Sequence, residues 1–219
     1  SFYGSNREVE LINCSTGVKS GGFSYTISSL TLSKLIKFDM KSSNVEFLSE
    51  GTIAKSTASS KQHALVNKGF SSGKAWWEFK LLKDKTGDSR ICVGAAVKPV
   101  LSSGYDESNE MWMLRPYSGA LYARGKYTDH KISKPCEGDV IRFELDCIAR
   151  TITIFVNGKN QGIGFSNLPS GETIYPAVSF YGVNREVQLV GCDEGAHPYT
   201  STSSVGAPVS SSVPAPIIG

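Results

Sequence analysis

The 219-residue chain has an ordinary globular composition, with 40% hydrophobic and 20% charged residues and a formal net charge of +3. This length is sufficient for one sizeable core. The basic residues are scattered rather than gathered into a stripe, which argues against nucleic-acid binding, and no apolar run is long enough to cross a bilayer. Because the chain begins with Ser and carries no apolar leader, we expect it to be a segment of a larger protein.

The five cysteines predict free thiols in a reducing compartment, the cytoplasm or the nucleus. Their number is odd, no C-x-x-C occurs, and the chain is too large to need a disulfide framework. His63, His130 and His197 are far apart and lack H-x-x-x-H spacing, so we expect no metal site and no cofactor.

The chain opens on a sequence that nearly closes it. Residues 1–14, SFYGSNREVELINC, recur at residues 179–192 as SFYGVNREVQLVGC, with ten of fourteen positions identical and 178 residues between the two starts. Chance does not produce such a match, so the segment is duplicated. Either one domain uses it twice, or the chain starts with the tail of a preceding copy of its own domain.

Short strands separated by turns dominate the rest of the chain. Apolar Ile141, Phe143 and Leu145 alternate with polar residues, which predicts a strand with one face in a core and the other in water. Residues 30–40 fit either a short helix or a strand. The clearest strands are residues 74–82, 90–97, 119–125, 139–148 and 151–158, the last ending in the reversal Asn157-Gly158. This pattern predicts an all-β fold of two antiparallel sheets packed face to face.

The catalytic motifs that the chain resembles are all incomplete. In residues 69–74, GFSSGK, the glycines are one residue too close for a phosphate loop, and Ala75 stands where Ser or Thr would bind magnesium. Residues 158–164 have the wrong spacing for a dinucleotide-binding turn. The acidic residues 105–110 lack the frame of a calcium loop. The sequence therefore predicts no catalytic site.

Several stretches together carry a family pattern. GKAWWEFKL is similar to a G-x-x-Y-W-E-V strand, ICVGAAVKP to a V-G-V-A strand, and IYPAVSFYG to a closing Y-P-A-V-S segment. The longest match is GDVIRFELDCIARTITIFVNGKNQGIGFSNL. These stretches, in this order, resemble the SPRY domain family over residues 38–192. The resemblance implies a bent antiparallel β-sandwich of concanavalin-like jelly-roll architecture that binds peptide segments of other proteins and has no catalytic role.

The resemblance also implies a binding pocket built from loops at one end of the sandwich. Tyrosine suits such a pocket, because it offers a large contact area at little conformational cost and keeps a polar tip. The alternative is that Phe180 lies in the core and Tyr181 only at its edge. The partner-binding residues implied by the resemblance are Tyr181, Phe180, Gly182, Tyr105, Lys55, Asp88 and Arg90.

Three classes of function compete for a chain of this kind. The first is a non-catalytic interaction module that binds a peptide segment of a partner and recruits substrate to a ubiquitin ligase. The alternative is a lectin-like carbohydrate-binding β-sandwich, which would favour a secretory context and a calcium or aromatic sugar platform. The third, an enzyme, lacks a site. We expect a protein or peptide partner and neither nucleic acid nor membrane.

The duplication then suggests how the chain is organised. Residues 1–14 are the closing strand of a preceding SPRY-like repeat, residues 15–37 a linker and lead-in, residues 38–195 the SPRY domain, and residues 196–219 a flexible tail rich in Ser, Pro and Ala. A lone strand is unstable, so we expect residues 1–14 to dock on this domain or to pair with another molecule. Two repeats with similar pockets would give avidity.

Overall fold

The computed structural model describes residues 36–84 and 91–198 of the chain. These residues contain one 3-10 turn, Ser49–Gly51, and no α-helix, so no helix in this part could span a membrane. The strands are β1 (Phe38–Lys41), β2 (Val45–Leu48), β3 (Ile53–Ser56), β4 (Lys61–Val66), β5 (Lys74–Lys83), β6 (Ile91–Ala96), β7 (Met111–Arg115), β8 (Ala120–Ala123), β9 (Lys126–Lys131), β10 (Val140–Asp146), β11 (Thr151–Val156), β12 (Lys159–Phe165), β13 (Tyr175–Tyr181) and β14 (Glu186–Glu194).

The strands form the two antiparallel sheets that the sequence predicts. The first sheet has the order β1-β4-β13-β6-β7-β8-β9, and the second has the order β12-β11-β10-β5-β14-β3-β2. The strands β13 in the first sheet and β5 in the second are each paired with neighbours on both sides along most of their length. The sequence left residues 30–40 open as a helix or a strand. Their last three residues belong to strand β1 and are therefore extended.

The core lies between the two sheets and is built on aromatic stacking. Trp77 and Phe143 stack with ring centroids 5.7 Å apart, and both are fully buried. The Trp77 indole N–H donates to the Gly94 carbonyl oxygen at 3.2 Å, which satisfies the one polar atom of this side chain. Gly94 is required where it stands, because a Cβ atom there would lie 2.0 Å from the Trp112 carbonyl oxygen.

The turn Asn157-Gly158 has the predicted backbone conformation, with φ of 48° and 77°. Positive φ at both central residues is the signature of a tight hairpin, and it joins β11 to β12. The alternation predicted for β10 also holds on its core side, where Ile141, Phe143 and Leu145 are buried.

The other face of β10 departs from the prediction. Arg142 was expected in water, yet it is only 5% exposed, because His197 packs over it. His197 is equally buried, and the described residues continue to Pro198. The tail predicted to begin at residue 196 therefore includes at least one residue that packs on the domain. Residues 1–35, the charged residues Asp88 and Arg90, and residues 199–219 lie outside the described residues.

Candidate functional site

The end of β13 places one aromatic residue in the core and the next at the surface. Side chains alternate along a strand, and Phe180 faces the core at 1% exposure whereas Tyr181 is 43% exposed on the outer face of the first sheet. Phe180 therefore cannot contact a partner, which corrects its assignment to the binding residues. Phe180 packs in the core beneath the end of β13, whereas the Tyr181 side chain is accessible to a partner.

Lys61 stands beside Tyr181 on the adjacent strand. The two residues are paired in the register between β13 and β4, so their side chains share the outer face. Lys61 Nζ makes ion pairs with Asp106, at 3.2 Å, and with Glu107. A lysine next to the candidate tyrosine thereby binds a segment that is distant in sequence.

That segment is the loop of residues 98–109 between β6 and β7, here called the 98–109 loop. Its base is closed by a hydrogen bond from the Val97 N–H to the Glu110 carbonyl at 2.9 Å. From there it folds back over the outer face of the first sheet, where its Val100 and Tyr105 side chains cover a second hydrophobic cluster that includes Met111. The loop thus reaches from one end of the sheet to Lys61 at the other.

Two further hydrogen bonds fix the loop against the sheet at Ser103. The Ser179 hydroxyl donates to the Ser103 carbonyl oxygen at 2.7 Å, and the His63 Nδ1 atom lies 2.8 Å from the Ser103 hydroxyl oxygen. Burial lowers the pKa of His63, so its ring is neutral at pH 7. The loop is therefore positioned by both charged and neutral contacts.

Tyr105 occupies the tip of the 98–109 loop. Its ring meets the edge of Tyr122 with centroids 4.7 Å apart, and the Arg115 guanidinium lies 5.8 Å from its centroid. Partial burial raises the pKa of Tyr105 to about 12, so the hydroxyl is protonated at neutral pH. Gly104 gives Lys61 room to reach the loop, because a Cβ atom at that position would lie 2.9 Å from Lys61 Nζ.

The turn after Tyr181 is held rigidly by Ser56. Gly182 has a φ of 126°, which favours glycine, and its carbonyl oxygen accepts from the Ser56 hydroxyl at 2.6 Å. The same hydroxyl oxygen accepts from the Arg185 N–H at 2.9 Å. Arg185 in turn pairs with Asp84 at 3.1 Å, where β5 ends. Residues 182–185 are thereby tied to the ends of strands β3 and β5.

Lys55 is not brought to the same surface. It lies between core-facing Ala54 and Ser56 on β3, so its side chain points to the outer face of the second sheet. There it pairs with Glu46 at 3.6 Å. The structure therefore places Tyr181, Gly182 and the loop that carries Tyr105 on the side of the first sheet, and leaves Lys55 on the outer face of the second.

Some residues of this surface gave no signal in the sequence. Lys61, Ser56 and Arg185 are polar residues of ordinary type, and only the strand register and the fold of the 98–109 loop bring them beside Tyr181. A tyrosine patch around Arg115 also went unnoticed. Its exposed member is Tyr117, at 48% exposure, with its ring centroid 5.3 Å from the Arg115 guanidinium. Tyr122 belongs to the same patch, since its ring meets that of Tyr105.

Comparison with known proteins decides the family. The sequence profile of the SPRY domain matches residues 74–193. The crystal structure of the SPRY domain of human HERC1 is similar, with 30% sequence identity and a TM-score of 0.64 over 73% of this chain and 99% of that one. The chain belongs to the SPRY domain family. The crystal structure of the TRIM65 PSpry domain shares the fold at 12% identity, with a TM-score of 0.55 over 71% of this chain and 92% of that one.

SPRY domains are generally non-catalytic modules of protein interaction. Burial raises the pKa of Cys192 to about 12 and that of Cys92 as well, so both remain thiols at neutral pH and are poor nucleophiles. Within residues 36–84 and 91–198, no three His, Cys, Asp or Glu side chains are grouped to hold a metal ion.

Proposed function

We propose that this SPRY domain binds a peptide segment of a partner protein at the Tyr181 surface, defined as Tyr181, Lys61, Tyr105 and the 182–185 turn. The observation that carries the proposal is the position of Lys61 between Tyr181 and the acidic residues of the 98–109 loop. Lys61 is beside Tyr181 in register and contacts the loop that carries Tyr105, so two tyrosines remote in sequence share one surface. Rigid aromatic anchors of this kind contribute most of the energy in protein interfaces.

The polar groups of the surface favour a peptide rather than an apolar ligand. The protonated Tyr105 hydroxyl and the partly exposed Lys61 ammonium can donate to backbone carbonyls or to an acidic side chain. Asp106 and Glu107, with side chains 44% and 57% exposed, can accept from peptide N–H groups. Donors and acceptors on one surface can pair with the C=O and N–H groups of an extended peptide.

The role in the cell follows the same proposal. Membership of the SPRY family and the resemblance in the sequence support a module that recruits substrate to a ubiquitin ligase in the cytoplasm or nucleus. The four described cysteines, Cys92, Cys136, Cys147 and Cys192, are all free, which is compatible with a reducing compartment.

The test is differential capture by the full chain. Tyr181→Ala removes the exposed anchor, and Tyr127→Ala removes an equally exposed tyrosine from the edge strand β9, four strands away from β13. We expect Tyr181→Ala to lose partners that wild type and Tyr127→Ala both retain, with affinity for the recovered partner reduced about 30-fold, as for a hot-spot residue. The melting temperature should change little in either variant. Equal capture by all three proteins would refute the proposed surface.

A further inference from the structure

The duplicated segment corresponds to the end of β13, the 182–185 turn and most of β14. In the copy that the structure describes, the residues that hold the segment in place are known from their contacts. Gly182 and Asn184 have positive φ, Arg185 pairs with Asp84, and the side chains of Val187, Leu189 and Cys192 face the core. Every one of these has an identical counterpart in residues 1–14, namely Gly4, Asn6, Arg7, Val9, Leu11 and Cys14. Residues 1–14 thus keep what a last strand of this fold needs.

Three of the four differing positions lie at the surface, where substitution is tolerated. Val183 and Val190 are 42% and 50% exposed, and they are replaced by Ser5 and Ile12. Gln188 lies on the outer face of the second sheet, and Glu10 replaces it. Substitutions at such surface positions usually change stability little.

The fourth difference, Gly191 against Asn13, falls at a crowded position. The indole of Trp76 lies across Gly191, and a Cβ atom there would be 2.7 Å from Cζ3 and 2.9 Å from Cη2 of the indole. Real Cβ atoms do not approach so closely, so any larger residue must displace the ring.

The indole is not free to move. Trp76 meets His197 edge to face, with ring centroids 4.5 Å apart, and His197 is itself hydrogen-bonded to Arg142 at 2.7 Å. His197 also lies 3.4 Å from the Glu78 carboxylate. Displacing Trp76 would therefore disturb a buried polar network on the outer face of the second sheet, and such networks are costly to leave partly satisfied.

We propose that residues 1–14 are the last strand of a second domain of this fold, one with a residue smaller than tryptophan at the position of Trp76, and that Trp76 keeps this strand out of the sheet described above. Two near-identical strands on one chain compete for the slot between β5 and β3. The contact between Trp76 and Gly191 discriminates between them, since it admits glycine and rejects asparagine.

The experiment grafts the first copy into the full chain. The substitutions V183S, Q188E, V190I and G191N together give residues 179–192 the sequence of residues 1–14. The matched control carries only V183S, Q188E and V190I. Both are made with Trp76 present and in W76A and W76V backgrounds, so that a poorly folding background does not decide the result, and the melting temperature of each is measured.

With Trp76 present, we expect the graft to melt at least about 4 °C below its control, because overpacking is destabilising in a domain of this size. In the W76A and W76V backgrounds, graft and control should melt within about 2 °C of each other. A graft as stable as its control beside Trp76 would show that Trp76 excludes nothing. A graft that is equally destabilised without Trp76 would show that residues 1–14 do not suit a sheet with a smaller residue there. Either result overturns the proposal.

Discussion

Tyr181 shows how a single residue position decides between core and surface. The preceding Phe180 is directed into the core, so the pleat of β13 turns Tyr181 outward. The paired residue Lys61 is turned outward for the same reason and meets the acidic loop. Lys55 obeys the same rule on the other sheet, with the opposite outcome for binding. A one-residue shift in register would exchange these roles.

His197 is the second residue on which a local arrangement depends. Arg142 can only donate, so Nδ1 of His197 accepts from Arg142 Nη1 at 2.7 Å, and the proton of the neutral ring is on Nε2, which faces Glu78 at 3.4 Å. Arg142 also pairs with Glu144 at 3.0 Å. Burial, followed by the charge of Arg142, lowers the pKa of His197. Protonation on Nδ1 would put two donors face to face.

Stability should therefore depend on pH through His197. The pKa of His197 is lower in the folded chain than the ordinary value of about 6.5 in the unfolded chain, so the unfolded chain binds more protons between these values. The stabilising contribution is complete above about pH 6.5 and is lost as the pH falls through the lowered folded-state pKa. We predict that the free energy of unfolding in urea decreases from about pH 7.5 to about pH 5, and less steeply in His197→Gln.

Because the Glu78 carboxylate lies 3.4 Å from His197, wild type and His197→Gln are also compared in a Glu78→Gln background, which isolates the imidazole. The His63→Gln variant is a useful companion, because burial lowers the pKa of His63 too, and its loss should reduce the slope independently. Parallel curves for wild type and His197→Gln would contradict the assignment of His197 as a neutral, buried ring.

The element that matters most for the candidate site is the 98–109 loop. Two ion pairs from Lys61 hold its acidic end, and turn hydrogen bonds to the Gly104 carbonyl come from the Glu107 and Ser108 N–H groups at 3.1 and 2.8 Å. Exposed ion pairs contribute about 0–1 kcal/mol each, so this end of the loop is held more weakly than its Ser103 and Tyr105 contacts.

We predict that Lys61→Ala loosens this end of the loop without unfolding the domain. Amide hydrogen exchange at residues 107 and 108 should accelerate at least about fivefold, whereas the melting temperature falls by no more than a few degrees. Lys68→Ala is the control, since Lys68 makes a comparable exposed ion pair with Glu194 at 2.6 Å and is remote from the loop. Unchanged exchange in Lys61→Ala, or equal acceleration in Lys68→Ala, would show that Lys61 does not hold the loop.

At the scale of the whole molecule, the strands were predictable because their signal is local. Alternation in β10 and the reversal Asn157-Gly158 depend on a few consecutive residues, and the structure confirms both. The face of Arg142 was not predictable, because its burial depends on His197, 55 residues further along the chain. Polar residues at alternate positions indicate a face away from the core, but not whether another segment covers that face.

The candidate site was predictable only in part for the same reason. The motif YPAVSFYG contains Tyr181, and the family resemblance implied Tyr105. Their proximity depends on the loop folding back to Lys61, which no local pattern encodes. The assignment of Phe180 failed because a motif match does not state the phase of the pleat, and the sheet of Lys55 follows from strand order rather than from residue type.

The most direct test of the central claim is photo-crosslinking from the full chain. The residue p-benzoylphenylalanine replaces Tyr181 in one variant, Tyr127 in a second and Lys55 in a third, and each is irradiated with a partner recovered by capture. The positions lie on the candidate surface, on the far edge of the same sheet, and on the opposite face. We predict that Tyr181 alone gives a crosslink, and that it maps to one contiguous peptide segment of the partner. Crosslinks from Lys55 or Tyr127 and none from Tyr181 would contradict a peptide-binding role for this surface.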